Sequence, residues 1–542
     1  MLDEVLGSYL DSLTEREFDG PFMALLRAHG FLDVHFLHGA YEFGKDFIAK
    51  RREDGTVVQY AVQTKAGDLD IAEYRVVRGQ IDDLRRNATG HPSYDKAAPR
   101  RAVLVITGRL KGAAATTAQA DQEDLRSRGE TDFEVWDRER LIELMRGVPE
   151  TGYPQGSAGA FLGLVSAIDE KSITEDHLEQ HSRRWIFPIG SLNGLRRAAL
   201  EAGILSNRLR RTERHDLASY VALCLVRGAW ASAGASEPPD PEAVLIADLG
   251  RRLFGAYAGE VWARCDATTL DPRGFLTQQR QSHIYLSYPV ACLRLLELLG
   301  LLALLPDEAA VTNGDELLQF LRDFIDRQPG ASHPISDRWA VSIIPAVLAL
   351  VGSAPAAIET YLTRLVAWTC DHYDSGQMGL AGPRATPGQE AFLYLGAGIP
   401  ASNRPRRQVS YLAAVLVDLL ALNEMGRVYE LAVNDIRYVE AIPEVIEAED
   451  DPSQYRMDGV TLVRSVVTYP DTWAPSEGWK IAPHHLRAPI NYYLSRIGRP
   501  WDHLAVSSVL RDRHFLPTMR VLASTASRAI TTGDSVGPQV GG

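Results

Sequence analysis

Cysteine is scarce in this sequence, and the four cysteines stand apart from one another. Cys224, Cys265, Cys292 and Cys370 form no CxxC pair and no Cys/His cluster with the spacing of zinc ligands. The pattern argues against a disulfide framework and against a structural zinc site. It favours a reducing compartment, and we expect a cytoplasmic protein.

Long apolar runs are missing as well. The most hydrophobic stretch, residues 290–305, is short for a membrane span and contains Arg294 and Glu297, so it predicts a buried core helix. The first residues, MLDEVLGSYL, are acidic and lack the basic start of a secretory signal. We expect no membrane contact.

The chain also lacks an excess of positive charge. Its 57 Lys and Arg residues stand against 70 Asp and Glu residues, a net charge of −13, so any surface that binds nucleic acid must be local. One basic cluster, Arg208, Arg210, Arg211 and Arg214, has helical spacing that places the last three on one side. These arginines are candidates for contact with a phosphate backbone, and a solvated helix face is the alternative.

The length of 542 residues predicts two to four domains. Residues 148–160 are rich in Gly, Pro, Ser and Ala and are typical of a linker. Before this linker, helical and strand patterns alternate over residues 1–147. After it, residues 161–435 repeat apolar residues at helical spacing, which predicts a large, mainly α-helical array. Residues 436–530 are mixed, with a strand-like patch at 459–470, and residues 531–542 predict a disordered tail.

The first 147 residues predict an α/β domain whose mixed sheet is flanked by helices. The first helix follows Thr14, which forms a capping box with Glu17. Strands are predicted at 31–37, 43–51, 56–67, 100–110 and 132–137, and further helices at 71–88, 113–128 and 138–147.

A phosphate-binding loop is one interpretation of the stretch HGAYEFGKDF, because Gly39, Gly44 and Lys45 have the spacing of that motif. However, Asp46 stands where the motif needs Ser or Thr to bind Mg²⁺. The β-branched residues that follow predict strands, whereas the motif needs a helix whose N-terminus faces the phosphates. Nucleotide binding is therefore not expected here.

Asp46 instead lies on a predicted strand beside the strand that carries Gln63 and Lys65. Residues two apart on a strand share a face, so Gln63 and Lys65 project together, and Asp46 on the partner strand can meet them. An acid, an amide carbonyl and an ammonium at one point suit phosphodiester hydrolysis. The carboxylate can hold Mg²⁺, and the lysine can orient water or balance charge in the transition state.

With these residues, the sequence resembles the Mrr-type restriction endonucleases of the PD-(D/E)XK nuclease superfamily. The family motif is a glutamate on the N-terminal helix, then G-x-D, then Q-x-K, which here are Glu17, Gly44-Lys45-Asp46 and Gln63-Thr64-Lys65. The resemblance covers about residues 14–147. A helix-turn-helix-like DNA-reading domain, common among relatives, is not visible in the sequence.

The resemblance implies a restriction-endonuclease-like fold and a site with Mg²⁺ or Mn²⁺. Asp46 is then a metal ligand, Gln63 replaces the second acid of the superfamily, and Lys65 is the catalytic lysine. Glu17 adds a carboxylate to the metal site. Gln80, on the helix after the motif, falls where relatives often carry a polar active-site residue.

The sequence thus predicts a metal-dependent endonuclease that cuts double-stranded DNA, of a bacterial restriction or anti-phage kind. Because a single site cuts one strand, we expect a homo-oligomer of two or more copies. The helical region is expected to sense a target or a trigger protein from phage or host. Two alternatives stay open: a catalytically silent scaffold that binds nucleic acid or protein, and a nuclease for RNA or single strands.

Overall fold

A computed structural model describes the chain in twelve segments. These are residues 2–37, 45–86, 91–149, 158–186, 192–233, 239–282, 285–305, 314–378, 385–395, 409–448, 462–473 and 499–511. The chain divides into two compact units. The first comprises Met1–Ala167 with Ala199–Asn207, and the second comprises Ile168–Ala198 with Arg208–Gly542.

The first unit contains a five-stranded mixed sheet in the order β1-β2-β3-β4-β5. The strands are β1 (Leu32–Phe36), β2 (Phe47–Glu53), β3 (Thr56–Lys65), β4 (Arg100–Ile106) and β5 (Phe133–Trp136). The first three pair antiparallel, and β4 and β5 continue the sheet in parallel. The predicted mixed sheet is therefore confirmed.

A two-residue turn sets the register of β2 against β3. Asp54 and Gly55 both have positive φ, +48° and +83°, between the paired residues Glu53 and Thr56. Asp-Gly is favoured in such turns because both central residues must be left-handed. This register brings Phe47 opposite Val62, so Asp46 lies beside Gln63 at the end of the ladder.

Helices flank this sheet: α1 (Leu2–Ser12), α2 (Glu15–Ala28), α3 (Ile71–Arg86), α4 (Ala113–Ser127) and α5 (Arg138–Gly147). The apolar spacing predicts all of them except α1, which was not predicted from the sequence. Helices α3 and α4 are the crossovers that make β3, β4 and β5 parallel. Tyr74, Val77 and Ile81 of α3 are buried against Leu104 and Ile106 of β4. An aromatic cluster brings together α2, β2, β3, β5 and the residue before β1, through Phe22, Phe47, Tyr60, Trp136 and Phe31.

The rest of the described chain is mainly helical, as predicted. The helices are α6 (Ala158–Asp169), α7 (Glu175–Ser182), α8 (Leu192–Arg211), α9 (His215–Ala233), α10 (Pro241–Trp262), α11 (Phe275–Ser282), α12 (Ser287–Ala303), α13 (Gly314–Arg327), α14 (Ala340–Leu350), α15 (Pro355–Asp374), α16 (Pro387–Leu395), α17 (Tyr411–Leu422), α18 (Gly426–Tyr438) and α19 (Pro500–Leu510). Short strands accompany them: β6 (Cys265–Asp266), β7 (Asp271–Pro272), β8 (Val409–Ser410), β9 (Ile442–Ala448) and β10 (Leu462–Val466). The predicted core helix at 290–305 is confirmed, because α12 is almost wholly buried.

Buried ion pairs join distant parts of the helical unit. Arg251 of α10 donates from Nη1 to both carboxylate oxygens of Asp502 of α19, each at 2.6 Å. Glu297 of α12 is fully buried and accepts hydrogen bonds from Ser342 at 2.6 Å and from Arg511 at 3.0 Å. Since a lone buried charge is costly, each of these groups depends on its partner.

The structure adjusts some predicted boundaries. Helix α6 begins at Ala158, inside the predicted linker 148–160, of which residues 150–157 lie outside the described residues. The apolar run at 408–433 is interrupted between α17 and α18, where Glu424 has a φ of +55° that no helix can include. The predicted tail 531–542 also lies outside the described residues.

Membrane-spanning helices were not expected. In the segments given above, every helix is too short or too polar to cross a bilayer.

Candidate active site

Backbone hydrogen bonds on both sides hold Asp46 at the edge of the hairpin. Its N–H donates to the carbonyl of Val62 at 2.9 Å, and its own carbonyl accepts from the N–H of Leu37 at 2.8 Å. Asp46, the residue before β2, is thus hydrogen-bonded to the residue after β1 on one side and to β3 on the other. The rigid sheet therefore decides where the carboxylate lies.

The Asp46 carboxylate accepts three hydrogen bonds on one oxygen, Oδ2. The donors are Nε2 of Gln63 at 2.6 Å, the backbone N–H of Thr64 at 2.7 Å and the hydroxyl of Thr64 at 2.8 Å. Within the described residues, these bonds all end on Oδ2, which leaves Oδ1 for another partner. The predicted meeting of Asp46 and Gln63 is observed.

The environment of Asp46 affects its protonation in opposing ways. Burial raises the pKa of the carboxyl above its ordinary value, and the two hydrogen bonds from Thr64 and the nearby charge of Lys65 act against this rise. The donors around Oδ2 therefore favour the ionised form, which is the form that can bind a cation.

Lys65 ends β3, and its ammonium lies 3.0 Å from Oε1 of Glu15 on α2. Glu17, on the same helical turn, is the carboxylate that the resemblance assigns to the metal site. Its Oε2 accepts from the backbone N–H of Thr14 at 3.0 Å and from its hydroxyl at 2.8 Å, which completes the capping box. The structure thus places Glu15 against Lys65, and the metal role of Glu17 stays a prediction.

The sequence does not predict Glu15 or Thr64 as part of the site, and the reasons differ. Glu15 shows no signal beyond being an acid in the first turn of a helix, where acids are common. Thr64 was treated as the spacer of Q-x-K, because strand alternation turns its side chain away from the face of Gln63 and Lys65. Asp46 precedes the first residue of β2. From there its Oδ2 accepts from the Thr64 hydroxyl as well as from the Gln63 amide.

Lys45, the lysine of the phosphate-loop interpretation, is fully buried. Its ammonium donates to the carbonyl of Asp83 on α3 at 3.3 Å, and burial lowers its pKa to about 8. A strand follows it, not a helix. Gly39 and Gly44 lie outside the described residues, yet the position of Lys45 and the strand after it already disagree with nucleotide binding.

Two loops that touch each other hold the end of β3 behind Lys65. The N–H of Gly67 donates to the Thr107 hydroxyl at 2.8 Å, and the N–H of Gly108 donates to the carbonyl of Gly67 at 3.1 Å. Asp68 accepts from the N–H of Arg109 at 2.8 Å. The backbone of Lys65 is therefore held by β4, through its pairing with Ile106 and the N–H of Thr107, and the chain after it is held by these loops.

The donor chemistry of this site fits a hard divalent cation. In the described residues no group of three His, Cys, Asp or Glu side chains could hold a metal by itself. Mg²⁺, however, is commonly held by one or two carboxylates together with waters and substrate phosphates. Oδ1 of Asp46 and the amide oxygen of Gln63 are the donors that the hairpin offers, and Glu15 is a further acid, in contact with Lys65.

The remaining predicted residues lie elsewhere. Gln80 is on α3, and its amide oxygen is buried without a hydrogen-bond donor from the described residues. The structure gives it no contact with Asp46 or Lys65. Its assignment stays a prediction.

The expectation that Arg210, Arg211 and Arg214 share one helix face is wrong. Helix α8 ends at Arg211, and Arg214 follows a turn in which Glu213 has a φ of +64°. Three of the four arginines are paired with acids: Arg208 with Asp169 at 3.1 Å, Arg210 with Glu260 at 2.7 Å and Arg214 with Asp216 at 2.8 Å. These partners compensate the positive charge that a phosphate backbone would need, so the cluster is better explained by ion pairing within the helical unit.

Comparison with known proteins identifies the first unit. Residues 10–145, about a quarter of the chain, match the family Mrr_cat, described as restriction endonuclease. The resemblance predicted from Asp46, Gln63 and Lys65 is thereby confirmed for the N-terminal domain. No curated protein and no solved structure matches the chain.

Proposed function

We propose, from the restriction-endonuclease match of residues 10–145, that this protein is a Mg²⁺-dependent endonuclease that hydrolyses phosphodiester bonds of double-stranded DNA. The observation that carries the proposal is the cluster at the end of the hairpin. Asp46 and Gln63 are in hydrogen-bond contact, and Lys65 follows two residues later on the same strand.

Each residue of the cluster has a role that its contacts support. Asp46 and Gln63 would hold the metal ion, which supplies charge neutralisation at the phosphate and lowers the pKa of water. Thr64 fixes Oδ2 of Asp46, and Oδ1 would then be the oxygen that binds the cation. Lys65 supplies a positive charge for the phosphate in the transition state, where such a charge is most effective.

Site-directed variants test the assignment on supercoiled plasmid in Mg²⁺. We expect Asp46→Ala and Lys65→Ala each to reduce cleavage by at least about 100-fold, which corresponds to roughly 2.7 kcal/mol of transition-state stabilisation. The control is Lys50→Ala, since Lys50 lies on β2 of the same hairpin and pairs with Asp33 at 2.9 Å. Thermal unfolding of each variant shows whether the fold is kept.

Wild-type-like cleavage by Asp46→Ala or Lys65→Ala would disprove the assignment of the site. An equal loss of cleavage in Lys50→Ala would show that the substitutions disturb the structure of the hairpin and do not act through the catalytic groups. Binding to a duplex without any cleavage in Mg²⁺ or Mn²⁺ would support the catalytically silent scaffold instead.

Double-stranded DNA is the proposed substrate because the matched family is one of restriction endonucleases. The experiment compares duplex DNA, single-stranded DNA and RNA of one sequence at equal concentration. Preference for RNA or single strands would replace this substrate while leaving the reaction class intact.

We further propose a role in bacterial restriction or anti-phage defence, in which the helical region senses a target or trigger. The support is the combination of a nuclease domain with a large helical unit that is stabilised by its own buried ion pairs. Protection of cells against a phage panel, lost in Lys65→Ala, is the expected result.

A further inference from the structure

We propose that Glu15 is the positioning residue of Lys65, and that it anchors the ammonium at the point where the phosphate is to be bound. This inference rests on the proposed nuclease function. It assigns a role to a residue that neither the motif nor the family resemblance identified.

The contact joins two elements that are remote in sequence. Oε1 of Glu15, on the first turn of α2, lies 3.0 Å from Nζ of Lys65, fifty residues later at the end of β3. Thr14 caps α2 through the N–H of Glu17, and this cap fixes the backbone on which Glu15 stands. The helix end and the sheet end therefore meet through this ion pair.

The physical need for an anchor follows from the lysine side chain. Lysine has four rotatable side-chain bonds, so an unanchored ammonium is spread over many rotamers and only a small fraction faces the substrate. Its side chain here is 23% exposed, which leaves room for motion if Glu15 is removed. A carboxylate opposite the ammonium narrows this range of rotamers. A pre-organised charge lowers the free energy of the transition state more than that of the ground state, and so lowers the barrier.

The place of the ion pair supports positioning over simple surface pairing. Lys65 directly follows Thr64, whose N–H and hydroxyl donate to Oδ2 of Asp46 at 2.7 and 2.8 Å, so the lysine is held beside the carboxylate of the site. A substrate phosphate that approaches Asp46 and its cation thus meets Lys65 already held in place by Glu15.

A second ion pair of the same sheet allows a matched experiment. Glu15→Gln keeps size and polarity but removes the charge that holds Lys65. Asp33→Asn is the control, because it removes the acid that pairs with Lys50 at 2.9 Å in the same way. For Glu15→Gln we expect a fall in kcat of about tenfold with a KM change of less than threefold and an unchanged Tm, and Glu15→Asp should recover part of kcat. For Asp33→Asn we expect a wild-type kcat.

A second readout is independent of cleavage. Lysine acylation followed by mass spectrometry measures how freely each ammonium reacts, and Lys50 is an internal reference with 20% exposure and its own salt bridge to Asp33. In Glu15→Gln, labelling of Lys65 should rise several-fold while that of Lys50 stays constant. In Asp33→Asn, labelling of Lys50 should rise while that of Lys65 stays constant.

The outcomes separate this inference from the proposed function. If the wild type cleaves and Lys65→Ala does not, but Glu15→Gln has a normal kcat and normal Lys65 labelling, the positioning role is wrong and the nuclease stands. If labelling of Lys65 rises and kcat is unchanged, the ion pair exists but does not serve catalysis. If neither the wild type nor any variant cleaves nucleic acid, the proposed function itself fails.

Discussion

Thr64 places a neutral side chain at the centre of the site, and its two donors decide the orientation of Asp46. The N–H and hydroxyl of this fully buried threonine both reach Oδ2, at 2.7 and 2.8 Å. Hydrogen bonds to an ionised group contribute about 1.5–3 kcal/mol each. A spacer position of the motif thus supports the carboxylate that we propose as a metal ligand.

Replacing Thr64 by valine removes the hydroxyl at constant shape. We expect Thr64→Val to lower the cleavage rate about tenfold and to raise the Mg²⁺ concentration needed for half-maximal rate, because Asp46 loses one of its fixed donors. Thr64→Ser should restore most of both. The measurements are cleavage against Mg²⁺ concentration, and calorimetric titration with Mn²⁺ in the absence of DNA.

The prediction is contradicted if Thr64→Val and the wild type require the same Mg²⁺ concentration and bind Mn²⁺ equally. If valine and serine variants lose activity together, the cause is packing and not the hydroxyl.

At the scale of elements, the site depends on how closely the loops after β3 and β4 approach. A Cβ atom added to Gly108 would lie 2.4 Å from the carbonyl carbon of Gly67 and 2.5 Å from the nitrogen of Asp68. These are backbone atoms, which cannot move aside without moving the chain that carries Lys65. Only glycine at this position lets the two strand ends meet.

We therefore expect Gly108→Ala to lower Tm by several degrees and to reduce cleavage, because overpacking at a tight contact costs about 1–3 kcal/mol. Gly79→Ala is the matched control. Gly79 lies within helix α3, and nothing is within 4 Å of its Cβ position. That control should stabilise the protein by roughly 1 kcal/mol, since alanine is the better helix former.

Thermal unfolding of both variants, together with plasmid cleavage, checks the pair. A normal Tm and normal cleavage in Gly108→Ala would show that the loops can separate without disturbing Lys65.

At the scale of the whole molecule, buried charges connect parts of the chain that are far apart in sequence. Arg251 and Asp502 are separated by 251 residues, and both side chains are almost completely removed from water. Asp248 also contacts Arg251. Such a pair stabilises only while both members are present.

Asp502→Ala should destabilise the helical unit by about 3–5 kcal/mol, because it leaves the buried guanidinium of Arg251 without its main partner. Asp169→Ala, which breaks the more exposed pair with Arg208, should cost about 1 kcal/mol or less. The double variant Arg251→Met with Asp502→Leu should recover most of the loss. Chemical unfolding of the three variants and of the wild type measures these changes in the free energy of unfolding. Equal losses for Asp502→Ala and Asp169→Ala would refute the stabilising role of the buried pair.

The division of the chain also predicts how a fragment behaves. Residues 199–207 belong to the first unit, and Gly203 of this segment lies against Val5 of α1, whose Cγ1 would be 2.7 Å from a Cβ at that position. A fragment of residues 1–150 lacks this segment and exposes the apolar face of α1. We expect it to unfold at a lower temperature than the first unit of the whole chain.

The same fragment should cleave duplex DNA poorly, because one active site cuts one strand and the sequence offers no general excess of positive charge to hold DNA. Light scattering and cleavage assays on fragment and whole chain test this. A monomeric fragment that cuts as well as the whole chain would leave sensing or restraint as the role of the helical region.

Local patterns in the sequence determined most of the first unit. The strands follow from alternating β-branched residues, the hairpin from Asp54-Gly55, and the start of α2 from the capping box of Thr14 and Glu17. The contact of Asp46 with Gln63 was predictable as well, because side chains alternate between the faces of a strand and the two strands are neighbours in the hairpin.

Only the tertiary structure decided which charges pair across distant elements. Glu15 meets Lys65 because α2 approaches the end of β3, and this approach depends on core packing, which no short stretch of sequence encodes. Arg208, Arg210 and Arg214 had the spacing of a basic face, but their partners come from other elements. Local backbone preference acts over a few residues, whereas an ion pair requires the relative position of whole helices and sheets, and that position is set by the packing of the entire unit.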